Sequence, residues 1–290
     1  LIYALLSALL FSTMNVFVKL LGTSIPAGEI AFARGLFGTV AVLIIMYMKG
    51  IHFSKEDRGL LVMRGLYGGF GMVCNFIALV HLKLSDATIL FQMTGIFVFI
   101  FSALFLKESL PKGAGKWLAL IFAAVMIMVN PFTYESFSWY ALVAILGAAL
   151  AAAAYTTIRT ISKRGKHSNF EIMAYFMITS MFAGLVATDE FVMPQGSDWF
   201  IIVIIGGISV VAQFFLTGAF VTTNAVVAQF LQYVGVFISS FYGFLFFGES
   251  LALVTVIAGI VMFISSVMLS RLKEEQGLFK GGKIIEEKTK

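Results

Sequence analysis

The stretch Gln92-Met-Thr-Gly-Ile-Phe97, running on to Leu104-Phe-Leu-Lys-Glu-Ser-Leu110, occurs twice in this chain. Its second copy reads Gln232-Tyr-Val-Gly-Val-Phe237 and then Leu245-Phe-Phe-Gly-Glu-Ser-Leu251. With one residue of slack between the halves, eight of nineteen positions agree: the Gln, the Gly, the Phe, the Leu-Phe pair and the closing Glu-Ser-Leu. Shorter matches keep the same order and spacing, Val18-Lys19 with Ile158-Arg159 and Glu29-Ile-Ala with Glu171-Ile-Met. The chain of 290 residues is therefore an internal duplication with a period of about 140. In a membrane chain, such a duplication puts the binding site between the two halves.

Composition says that this is a membrane chain. Sixty per cent of the residues are apolar, 12% are charged and the mean hydropathy is +0.98, far above a soluble domain of this length. The apolar residues fall in ten stretches, approximately 1–21, 28–48, 59–80, 85–106, 113–130, 138–160, 169–187, 199–220, 224–247 and 252–270. Each approaches the roughly 20 residues that cross about 30 Å of hydrocarbon. Leu1 to Leu10 lacks the basic flank and small-residue cleavage site of a signal peptide and reads as part of the first span. The single cysteine, Cys74, excludes an internal disulfide or a cysteine-based metal site and reads as a buried small hydrophobe.

Charge sets the topology. Sixteen Lys and Arg fall in linkers and tail on the side of the N-terminus, against Lys83 alone on the other, where Glu135, Asp189, Glu190 and Asp198 lie. The positive-inside rule then places both termini in the cytoplasm of an integral protein of the cytoplasmic (inner) or plasma membrane. The net charge of +5 is a topology signal, and no nucleic-acid partner is expected. Five spans per copy is an odd number, so the second copy starts from the opposite face. The fold class predicted is all-α integral membrane, ten transmembrane helices as two inverted five-helix repeats at 1–137 and 138–271, with a cytoplasmic basic tail at 272–290.

Several motifs resemble a known family: Glu29 to Arg34 as Glu-x-x-x-x-Arg, Arg64-Gly-Leu, the helix start near Asp86, and Leu-x-Glu-Ser-Leu ending at Leu110. They look like the EamA-type members of the drug/metabolite transporter superfamily, over essentially the whole chain. The resemblance implies ten helices, with spans 5 and 10 peripheral, a central cavity and secondary transport by alternating access. Many members carry proline where this chain has Gly95 and Gly235, so glycine marks the expected soft point in spans 4 and 9.

Polar groups inside the spans supply the candidate substrate-binding residues: Gln92, Gln232, Asn15, Asn75, Tyr67, Tyr155, Gln213 and Tyr233. In hydrocarbon an amide or phenol needs a partner, so these face the bundle interior or a wet cavity. Gln92 and Gln232 hold equivalent positions and are expected on opposite walls of one site, or as ties between helices. Spans 3, 4, 8 and 9 are expected to wall that site. Lys19, Glu29, Arg34 and Asp86 form a candidate outer gate or charge pair; Arg34 either ties to Glu29 or Asp86 or meets an anionic part of the substrate. Arg64 reads as snorkelling to the inner surface. Glu108 and Glu249 are expected to cap the peripheral helices that follow them. The one-residue slack predicts a local bulge in span 9, because one extra residue turns a helix by about 100°.

The three histidines, His52, His81 and His167, lie in linkers, so proton coupling would fall to Glu29, Asp86 or Glu171. No catalytic constellation, metal-ligand spacing or nucleotide-hydrolysis loop is present, so neither an enzyme nor a cofactor is expected. The predicted function is secondary active transport of small polar or zwitterionic metabolites, such as amino acids, nucleosides or S-adenosylmethionine-like compounds. The alternatives are a multidrug or organic-cation exporter, which needs a deep acidic residue, and a channel or non-transporting scaffold. Expected partners are the small-molecule substrate, the lipid bilayer and a coupling ion or counter-substrate, for a monomer or homodimer.

Overall fold

Long apolar runs interrupted by short polar linkers fold as helices, because in hydrocarbon every backbone N–H and C=O must be satisfied within its own segment. The computed structural model describes residues 2–105, 112–129, 138–222, 225–249 and 253–275, and the described residues hold helices and no strand. In chain order the helices are α1 (Ile2–Leu21), α2 (Ala27–Met48), α3 (Arg58–His81), α4 (Leu84–Phe91), α5 (Thr94–Phe105) and α6 (Ala114–Val129). The second half continues with α7 (Trp139–Arg164), α8 (Asn169–Val186), α9 (Asp198–Thr222), α10 (Ala225–Leu231), α11 (Val234–Phe247) and α12 (Leu253–Glu275). Seven segments are long and apolar enough to cross a membrane, α4 and α5 counting together as Leu84–Phe105. The stretches at 113–130, 224–247 and 252–270 appear as shorter apolar helices.

Small residues decide which helices touch. Helix α2 packs on α8, α3 on α7 and α8, α1 on α9 and α11, and α6 on α12. A Cβ at Gly35 would stand 2.5 Å from the backbone N of Met181, and one at Gly147 would stand 3.0 Å from the carbonyl of Gly71. Larger side chains there would push α2 from α8 and α3 from α7, the usual role of glycine where membrane helices approach closely. The outward faces carry Val40, Ile44, Tyr47, Phe200 and Val203, all exposed. Such a surface suits acyl chains and would aggregate in water.

Both copies of the repeated phrase break their helix. The break falls at Gln92 and Met93 between α4 and α5, and at Gln232 and Tyr233 between α10 and α11. The soft point is thus at the glutamine, three residues before the expected Gly95 and Gly235. Local three-residue bonds replace helical ones: Gly95 N donates to Gln92 O at 3.0 Å and Gly235 N to Gln232 O at 2.9 Å. Each exposed carbonyl also finds a side chain from the other copy. Tyr233 Oη donates to Gln92 O at 2.9 Å, and Gln92 Nε2 to Gln232 O at 2.8 Å. A Cβ at Gly95 would lie 2.6 Å from Tyr233 Oη, so the glycine makes room for this crossing.

Helix α11 is continuous from Val234 to Phe247 and shows no bulge. It ends instead on left-handed Gly248 (φ +59°), with Glu249 N donating to Gly243 O at 3.1 Å, a turn one residue wider than a Schellman stop. A second reciprocity links the halves. Glu29 at the start of α2 accepts from Val192 N, in the α8–α9 linker, at 2.8 Å. Glu171 at the start of α8 accepts from Ser54 N, in the α2–α3 linker, at 2.7 Å. Ser168 caps α8 through the N–H of Glu171 at 3.1 Å, which leaves the Glu171 carboxylate available for that linker.

Candidate functional site

The helix breaks open onto a central cavity of about 120 Å³. Helix α1 contributes Phe11, Ser12 and Asn15; α2 contributes Arg34; α3 contributes Arg64, Gly68, Met72, Asn75 and Phe76. The second half supplies Tyr155 from α7, Phe176 from α8, Gln213 from α9, Gln229 from α10 and Gln232 at the break. Gln92 and Thr88 complete the lining from the first half. Helices α1, α2, α7 and α8 therefore join the four spans expected to wall the site, and none of its described lining residues comes from α6 or α12.

Six of the eight candidate binding residues lie on this wall: Gln92, Gln232, Asn15, Asn75, Tyr155 and Gln213. The glutamines meet rather than face each other across the space. Gln229 Nε2 donates to Gln92 Oε1 at 3.1 Å, while Gln232 Nε2 turns towards α1, 3.2 Å from Ala4 O. Tyr155 stacks on Phe220 with centroids 4.4 Å apart, leaving its other face to the cavity. Tyr67 and Tyr233 are not on the wall. Tyr67 lies half-buried on another face of α3, and Tyr233 is buried as the tie to Gln92.

The cavity holds two arginines where neutral amides were expected to dominate. Arg34 is 2% exposed and Arg64 1% exposed, so neither snorkels. Arg34 does not tie to Glu29 or Asp86. Its guanidinium carbon lies 5.9, 5.6 and 5.6 Å from the ring centroids of Phe11, Phe76 and Phe176, and its Nη1 rests on Met72 Sδ. Arg64 lies 4.6 Å from the centroid of the same Phe176, folded over Gly68. The shared ring caps the separation of the two charges at about 10 Å.

Among the described residues neither guanidinium has a carboxylate partner, and Arg34 Nε, Arg64 Nε and Arg64 Nη1 have no hydrogen-bond acceptor. Each charge costs about 2.5–3.5 kcal/mol in a span on insertion scales. Their mutual repulsion at about 10 Å, with an effective dielectric near 20, adds about 2 kcal/mol. Cation–π contacts return about 0.5–2 kcal/mol each.

The remaining candidate gate residues do not assemble around Arg34. Lys19 Nζ sits 3.2 Å from Glu249 Oε1 and donates to Leu82 O. The Glu249 carboxylate also receives Leu84 N at 2.8 and 3.0 Å, so it caps α4, in the other half of the chain. Glu108 lies outside the described residues. Asp86 sits in the first turn of α4 beside Ser85 Oγ, and Glu29 holds the α8–α9 linker. The result is a buried lock at one end of the bundle, built from Lys19, Glu249 and the start of α4.

The opposite end has its own polar network. His167, nearly fully buried, lies between Glu171 Oε2 at 2.9 Å and Asp57 Oδ2 at 3.6 Å, and Arg164 pairs with Asp57. Lys166 pairs with Glu56 at 2.5 Å, which raises the lysine pKa although the side chain is exposed. There Arg159 Nη1 and Ser162 Oγ both donate to Val221 O, at 3.3 and 3.0 Å, tying α7 to α9. Sequence reading missed the aromatic box of Phe11, Phe76 and Phe176; the available signal was Gly68 four residues after Arg64, which leaves room for a guanidinium to fold back.

Comparisons with known proteins agree with this architecture. The EamA-like transporter family model matches residues 1–130 and again 138–271. The pseudopaline exporter CntI of Pseudomonas aeruginosa is 35% identical over 273 residues, covering 93% of this chain and 95% of that protein. The S-adenosylmethionine uptake transporter of Rickettsia felis is 26% identical over 84% of this chain and 83% of its own. The riboflavin transporter of Brucella anthropi is 25% identical over 76% and 80% respectively. A solved crystal structure superposes with a TM-score of 0.72 over 95% of this chain and 97% of its own, at 15% identity, which shows the shared fold.

Proposed function

The chain belongs to the EamA-like transporter family, is an integral membrane protein of the drug/metabolite transporter type, and on that premise we propose that it is a secondary active carrier of small polar metabolites. Ten spans form two inverted five-helix repeats, 1–137 and 138–271, that rock about a central site, with a basic tail at 272–290. The observation that carries the reading is the central cavity onto which both copies of the repeated phrase open their broken helix. Broken helices at the interface of two repeats free backbone and side-chain polar groups for a solute near the midplane.

The reciprocal ties support the inverted arrangement. Glu29 of the first half holds a linker of the second, and Glu171 of the second half holds a linker of the first, as a two-fold relation requires. The Lys19–Glu249 lock joins the two halves at the end that the positive-inside rule places outside the cell, both termini being cytoplasmic. In alternating access this lock opens while the Arg159 end closes. Organic-cation export fits poorly, because no carboxylate among the described residues lines the cavity and two guanidiniums do.

Counterflow in vesicles tests the carrier reading. The purified chain is reconstituted with pseudopaline, S-adenosylmethionine or riboflavin, the cargoes named for its relatives, and flux is followed with the same solute on the far side. Saturable flux accelerated by that solute is the expected result. Conductance that neither saturates nor shows counterflow would overturn the reading in favour of a channel.

A further inference from the structure

Two guanidiniums buried without a counter-charge ask for one from outside the protein. Arg34 and Arg64 sit in a neutral box of three phenylalanine rings and a thioether, and three of their nitrogens have no acceptor. Charges kept inside a span are paired or face a pathway, and these face the cavity. Arginine presents a planar fork that binds a carboxylate through two parallel hydrogen bonds, which lysine cannot do. Two forks held within about 10 Å of each other suit two oxyanion groups on one small molecule. The rest of the wall is amide: Asn15, Asn75, Gln92 and Gln232 line it, and the buried Gln229 Oε1 has no donor. An N–H on the ligand meets amide carbonyls there, and a full cation meets no carboxylate.

We infer that the substrate of this cavity is an organic anion with two carboxylate groups and an N–H donor, the carboxylates on Arg34 and Arg64 and the donor on the amide side. This rests on the carrier reading and narrows it from polar metabolites in general to net-negative ones. Phosphomonoesters share the oxyanion chemistry, but they concentrate their charge in one compact group that one fork saturates, leaving the second arginine unmatched.

The test uses the full chain in detergent and in vesicles, with N-acetylaspartate and N-acetylglutamate as dicarboxylate probes that carry a neutral N–H. Glycerol 3-phosphate, leucine, putrescine and chloride serve as the other arms at constant ionic strength. Thermal shift gives affinity and counterflow gives transport. Dicarboxylates are expected to stabilise the wild type and exchange across the membrane, with affinity falling at least thirtyfold in Arg34→Gln and in Arg64→Gln. Arg64→Lys, which keeps charge but loses the fork, is expected in between and serves if a glutamine variant fails to fold. If glycerol 3-phosphate binds and dicarboxylates do not, the carboxylate assignment falls. If only leucine or putrescine binds and exchanges, unaffected by Arg64→Gln, the anion inference falls and the carrier stands. If no solute exchanges, including the relatives' cargoes, the carrier reading falls with it.

Discussion

Two sites among the described residues hold positive charge inside the bundle and treat it in opposite ways. At one end Lys19 has its counter-ion built in: Glu249 lies 3.2 Å away and also caps α4, so charge, helix dipole and backbone donors close on one another. At the centre Arg34 and Arg64 have aromatic rings and a thioether and no carboxylate. A paired charge between two repeats is part of the protein's own fold, and an unpaired one beside a cavity is part of a site that the ligand completes. The two regions should therefore answer mutation with opposite signs.

The largest effect falls on the unpaired charges. Arg34→Gln combined with Arg64→Gln is expected to weaken dicarboxylate binding about 1000-fold, about 4 kcal/mol, as for removal of buried charge partners at an interface. The same substitutions should leave the ligand-free melting temperature unchanged or raise it, since replacing uncompensated buried charge is often neutral or stabilising. A ligand-free protein that melts much earlier would mean that the arginines support the fold and would erase the contrast.

Glu249→Ala should do the reverse. It leaves Lys19 without its partner and the first N–H groups of α4 uncapped, in a site where the two side chains are 16% and 8% exposed. A loss of about 3 kcal/mol in unfolding free energy is expected, read by chemical denaturation in detergent. Glu249→Gln, which keeps an acceptor for Leu84 N, should lose about half as much. Dicarboxylate affinity should change little in either variant once folding is corrected for. An affinity loss as large as that of the arginine variants would place Glu249 in the binding machinery.

The difference between these regions also marks what the sequence made legible. Duplication singles out Gln92 and Gln232 as inward-facing, because a polar residue at equivalent positions of two apolar spans needs a partner in both, and both line the cavity. It did not reveal that the two meet, since Gln92 Nε2 reaches the backbone of Gln232 only after both helices break. Arg64 does not reach the inner surface and Arg34 does not reach Glu29 or Asp86 for a geometric reason: each long side chain folds back, over Gly68 or against Met72, onto the cavity wall. Glu249 was assigned to the nearest helix in sequence, whereas its partner Leu84 is 165 residues away. Contacts between halves are the part of the fold that periodicity does not encode.

The glutamine pair lies between the two regimes. Gln92 spends one donor on Gln232 O and its oxygen on Gln229, which leaves one N–H and one lone pair for a solute. Gln92→Ala is therefore expected to cost about 1 kcal/mol of stability and about tenfold in ligand affinity. Unchanged affinity in both Gln92→Ala and Gln232→Ala, measured by thermal shift, would reduce the pair to ties between helices.

The smallest effect isolates such a tie. Tyr233 is buried off the cavity wall, and its hydroxyl donates to the carbonyl that the break at Gln92 exposes. Phenylalanine keeps the ring and its contact with Gly95 and removes only that donor. Gln92 O still accepts from Gly95 N, so the carbonyl is not orphaned, and the cost should be about 1 kcal/mol of stability. Ligand affinity should be unaffected, because the hydroxyl touches no cavity space. A loss of affinity without a loss of stability in Tyr233→Phe would mean that the angle of the break, set by this bond, tunes the site, and the division between built-in and ligand-completed contacts would then run through α4 and α5 rather than around them.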